Sequence, residues 1–393
     1  MEYNFDEIIN REGTGSYKYD MRNEYFGSED LIPMWVADMD FRTPDFIMKA
    51  IRKRVSHEIL GYSSRGEGFF DAIKGWYSRR YGWEIHKDWI LTTPGVVPAL
   101  HFAIRALTGQ GESILIQPPV YHPFYSLIEG NERLVVLNQL KLTDGRYRMD
   151  FDDLEKKTEG DIALVLLSHP HNPVGRVWTQ EELARLGEIC LSRGITILSD
   201  EIHCDLVYPP SRHIPLASLS KELAGHTITF AAPSKTFNLA GLSTSFVIIP
   251  DPDLRKKFNR ELETSHLWLG NLFGAIALEA AYTSGDQWLE ELIKYLKANL
   301  EFLMDFISRE IPSVRVIEPE ATYLVWLDMR KIELGERSMK EFLVKEARLG
   351  FNDGTTFGPG GKGFQRINIA CPRAVLEKAL IQLRDALGSI GRV

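Results

Sequence analysis

The feature that most constrains this chain is a series of short apolar runs rich in β-forming residues, several of which lead into a polar side chain. Ile162–Ser168, Ile195–Asp200 and Thr227–Ala232 are of strand length, and their apolar stretches are too short for a buried helix. Four further runs of this kind occur at Trp89–Thr92, Ser113–Gln117, Arg133–Asn138 and Ser245–Ile249. Helical patterns such as Asp45–Glu58 and Glu67–Tyr81 belong to the same stretch of chain. Strands alternating with helices predict an α/β lobe built on a mainly parallel seven-stranded sheet.

Residues at or just beyond the ends of three of these runs carry chemistry. Lys235 follows Thr227–Ala232 in the stretch 231–241, AAPSKTFNLAG, where a desolvated amine has a depressed pKa and can bond covalently to a carbonyl cofactor. Asp200 closes the run Ile195–Asp200, and a carboxylate at a strand's end can hold a ring nitrogen protonated. Asn172 stands between two prolines in 169–175, HPHNPVG, placed to donate a hydrogen bond to a phenolic oxygen. Along the chain the amide, the carboxylate and the amine come in that order, and together they are the partners that pyridoxal phosphate requires. A further turn, 93–100 (TPGVVPAL), follows a strand and opens a helix, so Gly95, Val96 and Val97 offer main-chain N–H groups and a positive dipole end to a phosphate.

The ordered set resembles the fold-type I pyridoxal-phosphate enzymes of the aminotransferase class I/II superfamily. Four stretches sharpen the resemblance: 33–41 (PMWVADMDF), 61–68 (GYSSRGEG), 199–206 (SDEIHCDL) and 234–242 (SKTFNLAGL). These are similar to the MalY/PatB-type cystathionine β-lyases, the cysteine C-S lyases, and the likeness runs from about Pro33 to Arg373.

The resemblance implies further roles. Tyr121 stacks on the cofactor ring, Tyr62 reaches the phosphate of a partner subunit's cofactor in a homodimer, and Arg366 grips the substrate α-carboxylate. Trp35 and Ala37 are expected beside the substrate. His203 stands where aminotransferases generally carry a tyrosine, as it does in the C-S lyases. Two departures from the aminotransferase pattern are Ala232, in place of a phosphate-binding serine, and Ser243, in place of an arginine. Phosphate binding is therefore expected to rest on the helix terminus, Ser234 and Tyr62.

Composition excludes several other classes. With 46 Lys+Arg against 54 Asp+Glu and no dense basic block, nucleic acid and anionic membranes are not expected partners. No apolar run approaches the roughly 20 residues of a membrane span, and Met1–Glu7 lacks an apolar signal core. Three scattered cysteines, Cys190, Cys204 and Cys371, support no disulfide framework and fit a reduced cytoplasm. His169, His171, His203 and Cys204 have no metal-site spacing, so no metal is expected. The glycine-rich stretch 358–363 (GPGGKG) precedes a strand-like run where a dinucleotide fingerprint would open a helix.

The length predicts two lobes. Residues 44–285 are expected to bind the cofactor, while residues 1–43 and 286–393 form a smaller α+β domain. The expected activity is cleavage of the Cβ–S bond of cystathionine or another cysteine S-conjugate to thiol, pyruvate and ammonia. The alternative is an aminotransferase using the same residues. A ligand-sensing transcription regulator would need a DNA-binding segment before the fold, whereas the matching motifs begin by Pro33.

Overall fold

The computed structural model describes residues 3–267 and 269–391. Seven strands form the main sheet: β1 (Ile90–Thr93), β2 (Ser113–Ile116), β3 (Leu134–Leu137), β4 (Ile162–Ser168), β5 (Thr196–Asp200), β6 (Thr227–Ala231) and β7 (Ser245–Ile248). Their order across the sheet is β1-β7-β6-β5-β4-β2-β3. Pairing is parallel from β6 through β3, while β7 runs antiparallel to both β1 and β6. These are the seven runs read from the sequence, with no end displaced by more than one residue.

The central strands are apolar on both faces because both faces are covered. Leu164 and Leu166 of β4 belong to one apolar cluster with Leu198, Ile228 and Phe230. Val165 and Leu167, one position out of phase, belong to another with Ile197, Leu186 and Trp178. Burying each such side chain stabilises the fold by about 1.5–3 kcal/mol, which fixes the register, since a one-residue slip would exchange the faces. In that register Ser168 pairs with Asp200 and Asp200 with Phe230. The carboxyl ends of β4, β5 and β6 are therefore level, and the segments bearing Asn172, Asp200 and Lys235 leave the sheet at one edge.

A second sheet of four antiparallel strands comprises Arg315–Ile317, Leu324–Asp328, Phe364–Asn368 and Asn352–Asp353, in that spatial order. Two long helices, Asp286–Glu310 and Arg373–Ser389, contribute Leu303 and Leu383 to an apolar cluster that also takes in Phe41, Trp76 and Phe246. Near the amino terminus, Ile32–Pro33 pairs in parallel with Leu349–Gly350. The chain then crosses to the carboxyl edge of the main sheet. Asn368 Nδ2 donates to the carbonyls of Val36 and Asp38 at 2.7 and 2.6 Å, and Asn238 bonds both the N–H and the carbonyl of Met39. Ion pairs from Arg11 to Asp38 and from the buried Lys18 to Asp40 secure the same segment.

One element escapes the sequence reading. Lys141–Thr143 and Arg146–Arg148 form a hairpin whose turn residues, Asp144 and Gly145, have φ of 53° and 81°. Asp-Gly is the pairing such a turn favours, since both positions need positive φ. The signal was present, but the flanking strands are half polar.

Candidate active site

Two connected cavities lie at this edge. The inner one, about 200 Å³, is lined by Gly95, Val96, Val97, Asn172, Asp200, His203, Ser234 and Lys235 among others. The outer one, about 620 Å³, is lined by Trp35, His122, Asn352 and Arg366 among others. Ala37, Tyr121 and Lys235 face both. Of the residues expected at the site, only Tyr62 borders neither cavity, and it is 96% exposed.

Lys235 sits in a one-turn helix, Pro233–Thr236, directly after β6. Its Nζ donates to the Ala37 carbonyl at 2.7 Å. Burial holds the amine down at about 8 against the pull of Asp38 and Asp200, with Arg366 adding to the depression. The neighbouring Thr236 is anchored through its hydroxyl to the buried Asp205 at 2.7 Å, which fixes the turn carrying the lysine.

Asp200 is buried and forms no ion pair among the described residues. Its Oδ1 accepts from the Ile202 N–H at 3.2 Å, yet burial still raises the carboxyl to about 7. A carboxylate in that position gains most from a cationic N–H partner. His203 is pushed down to about 3 by burial, with Lys235 and Arg366 adding to it, so its imidazole is neutral. Its Nδ1 has no hydrogen-bond partner among the described residues.

Arg366 enters from the second sheet. The guanidinium is buried and contacts only neutral acceptors: Asn172 Oδ1 at 3.0 Å, the Trp35 carbonyl at 3.0 Å and Asn352 Oδ1 at 2.7 Å. It lies over the Phe357 ring at 4.9 Å, and burial lowers it to about 10. A structural ion pair, the competing explanation for a buried arginine, is absent among the described residues. A buried cation without an anion is costly, and a substrate carboxylate in the outer cavity would compensate it. Because Asn172 Oδ1 is taken by Arg366, its Nδ2 is the atom left to donate.

The helix Val96–Leu107 has no side-chain cap at its amino end, and the residues opening it, Gly95 to Val97, line the inner cavity. Uncapped N–H groups with a positive dipole suit a phosphate. Ser243 and Thr244 also line this cavity, so Ser243, noted in the sequence only as a departure, brings a hydroxyl to the same place. Sequence reasoning missed Thr244 and Asn352, which reach the cavities through packing of distant elements. Neither has a local motif. Tyr121 faces both cavities and Trp35 lies in a ring cluster with Tyr17, Tyr25 and Phe26.

His169 and His171 are engaged elsewhere, their Nε2 atoms meeting the carbonyls of Ile214 and Pro119. No group of three potential metal ligands occurs among the described residues.

An amine of depressed basicity, an unpaired buried carboxylate, an amide donor and an uncapped helix terminus around one cavity fit pyridoxal 5′-phosphate. The chain belongs to the aminotransferase class I and II family, whose sequence profile matches residues 29–383. It is 44% identical over 385 residues to cystathionine β-lyase PatB of Bacillus subtilis (strain 168), covering 98% of this chain and 100% of that one. Among solved structures it resembles cystalysin from Treponema denticola, which contains pyridoxal 5′-phosphate, with a TM-score of 0.96 and 37% identity over 99% and 100% of the two chains. A pyridoxal-phosphate-bound C-S lyase from Staphylococcus hominis matches with a TM-score of 0.92 and 37% identity, over 98% of each chain.

Proposed function

We propose that this protein is a pyridoxal-phosphate-dependent carbon–sulfur β-lyase, cleaving L-cystathionine or related cysteine S-conjugates to a thiol, pyruvate and ammonia. The observation that carries the reading is the buried, anion-free Arg366 opening onto the same cavity as Lys235. That pairing suits an α-amino acid, held by its carboxylate with its amino group and Cα toward the lysine. The full-length likeness to enzymes named for C-S bond cleavage supports the choice of reaction.

When bound, pyridoxal 5′-phosphate supplies an electron-withdrawing ring that stabilises negative charge at the substrate Cα. Lys235 would hold it covalently, Asp200 would pair with its ring nitrogen, and Asn172 Nδ2 would donate to its phenolic oxygen. Tyr121 would cover the ring, with His203 lining the cavity as a neutral imidazole. The Val96–Leu107 helix terminus, Ser234 and, from the partner, Tyr62 would take the phosphate. Arg366 fixes the α-carboxylate, Trp35 and Ala37 wall the substrate, and the free Lys235 amine takes the Cα proton as general base. The sulfur then leaves with the bonding pair as thiolate.

The reading includes a homodimer. Tyr62 projects into solvent beside Ile59 and Leu60, which are 70% and 63% exposed, and such a strip suits a partner surface. Residues 44–285 would form the cofactor-binding lobe, with 1–43 and 286–393 making the second. Three free, buried cysteines support a cytoplasmic setting, and no described helix is long and apolar enough to cross a membrane.

Borohydride reduction of the cofactor-loaded protein tests the attachment. The label should appear on the peptide bearing Lys235, and labelling of a different lysine would contradict the assignment.

A further inference from the structure

Tyr323 lines neither cavity, yet its hydroxyl donates to the Ala37 carbonyl at 3.0 Å. The same oxygen accepts from Lys235 Nζ at 2.7 Å. A carbonyl has two lone pairs, so two donors use this acceptor fully. Tyr323 is completely buried, its ring edge-on to His203 at 6.3 Å.

The preceding residue is an outlier. Thr322 has φ of +71°, a left-handed conformation that a β-branched side chain rarely adopts. It is held there by its N–H to the Leu206 carbonyl at 2.7 Å, by the Tyr208 hydroxyl on its own carbonyl at 2.7 Å, and by the Leu324 N–H on its hydroxyl at 3.0 Å. Backbone strain fixed by this many partners accompanies functional placement. Here it lies immediately before the side chain that reaches Ala37.

We propose that Tyr323 is a positioning residue for Lys235, acting through the Ala37 carbonyl. Its hydroxyl competes with the amine for that oxygen and brings a partly positive hydrogen to the same acceptor. Both effects disfavour the ammonium form, so more of Lys235 is the reactive free amine at neutral pH. The inference rests on Lys235 being the cofactor's attachment point. The other groups acting on Lys235 are the carboxylates of Asp38 and Asp200 and the Arg366 guanidinium, while His203 close by is neutral. Asn368 and Asn238 hold the Ala37 segment independently, so losing the hydroxyl does not release the backbone.

Full-length protein stripped of cofactor and recharged with pyridoxal 5′-phosphate across neutral to alkaline pH provides the test. The rate of covalent capture, followed by visible absorbance, rises as Lys235 loses its proton. In Tyr323→Phe the midpoint should move up by roughly half to one pH unit, with capture at neutral pH slowed roughly three- to tenfold. With substrate, kcat should fall while KM holds. Introducing 3-fluorotyrosine at position 323 keeps the ring and strengthens the donor, so it should move the midpoint down. Wild-type midpoints in both variants would overturn the proposal, as would a defect appearing only in Tyr323→Leu, which marks a packing role. If Lys235→Ala captures cofactor as fast as wild type, the reading of Lys235 itself fails instead.

Discussion

Arg366 Nη1 donates to Asn172 Oδ1 at 3.0 Å, joining a strand of the second sheet to the turn after β4 of the first. One residue lines the outer cavity and the other the inner, so this bond couples the group proposed to hold the substrate to the group proposed to meet the cofactor. In the proposed reading, a substrate carboxylate arriving at Arg366 would be registered against the Asn172 amide.

Arg366→Ala removes two charge-assisted hydrogen bonds to that carboxylate and should cost roughly two to four orders of magnitude in kcat/KM. Steady-state kinetics with a cysteine conjugate measures it. Arg366→Lys should recover little, because a single ammonium cannot reproduce the planar fork. A loss below tenfold for the alanine variant would show that the carboxylate binds elsewhere.

Two of the buried ionisable groups, Lys235 and Asp200, set opposite pH trends in the cofactor-free protein. Lys235, lowered from 10.5 to about 8, costs stability below that pH, and the cost fades as pH rises to 10.5. Lys235→Met should therefore raise Tm near neutral pH, by the equivalent of about 1–3 kcal/mol, and lose that advantage above pH 10. Asp200, raised from 3.8 to about 7, begins to cost stability above the lower value and costs most above the upper. Asp200→Asn should stabilise at pH 8 and not at pH 4. Thermal unfolding across this range checks both, and a Lys235→Met gap that widened at alkaline pH would contradict the account.

Much of this arrangement was legible in the chain itself, for physical reasons. β4 has the bounds read from the sequence because a strand buried on both faces must be continuously apolar, and Asp200 ends, while Asn172 and Lys235 follow, strands that end level. Arg366 was legible through the family resemblance, and the structure adds the physical reason, a buried guanidinium on an apolar strand with no ion pair among the described residues. Thr244, Asn352 and Tyr323 did not stand out, since each reaches the site by packing of distant elements. The Ala37 carbonyl has no sequence signal at all, being a backbone atom whose role depends on who approaches it.

Gly274 makes one such approach visible. It opens the helix Leu272–Ser284, and a Cβ there would lie 1.8 Å from Thr244 Oγ1 and 2.8 Å from the Leu242 carbonyl oxygen. Gly274→Ala should destabilise the protein by about 1–3 kcal/mol and weaken cofactor retention, because Thr244 lines the inner cavity. Thermal unfolding and dialysis against cofactor-free buffer measure the two effects. A variant matching wild type in both would show that the contact relaxes freely.

The dimeric reading makes a separate prediction. Lys235→Ala and Tyr62→Ala subunits, each inactive alone, should regain activity when mixed, because one site of the mixed dimer carries both native residues. No recovery despite demonstrated subunit exchange would place Tyr62 in its own chain's service.

The most direct test of the central claim supplies the holoenzyme with L-cystathionine and no keto acid. A lyase expels thiolate from Cβ and turns over repeatedly, so pyruvate, ammonia and homocysteine should accumulate in equal amounts over many cycles. A transaminase would stop after a single half-reaction. If turnover requires an added keto acid and no free ammonia appears, the lyase assignment is wrong.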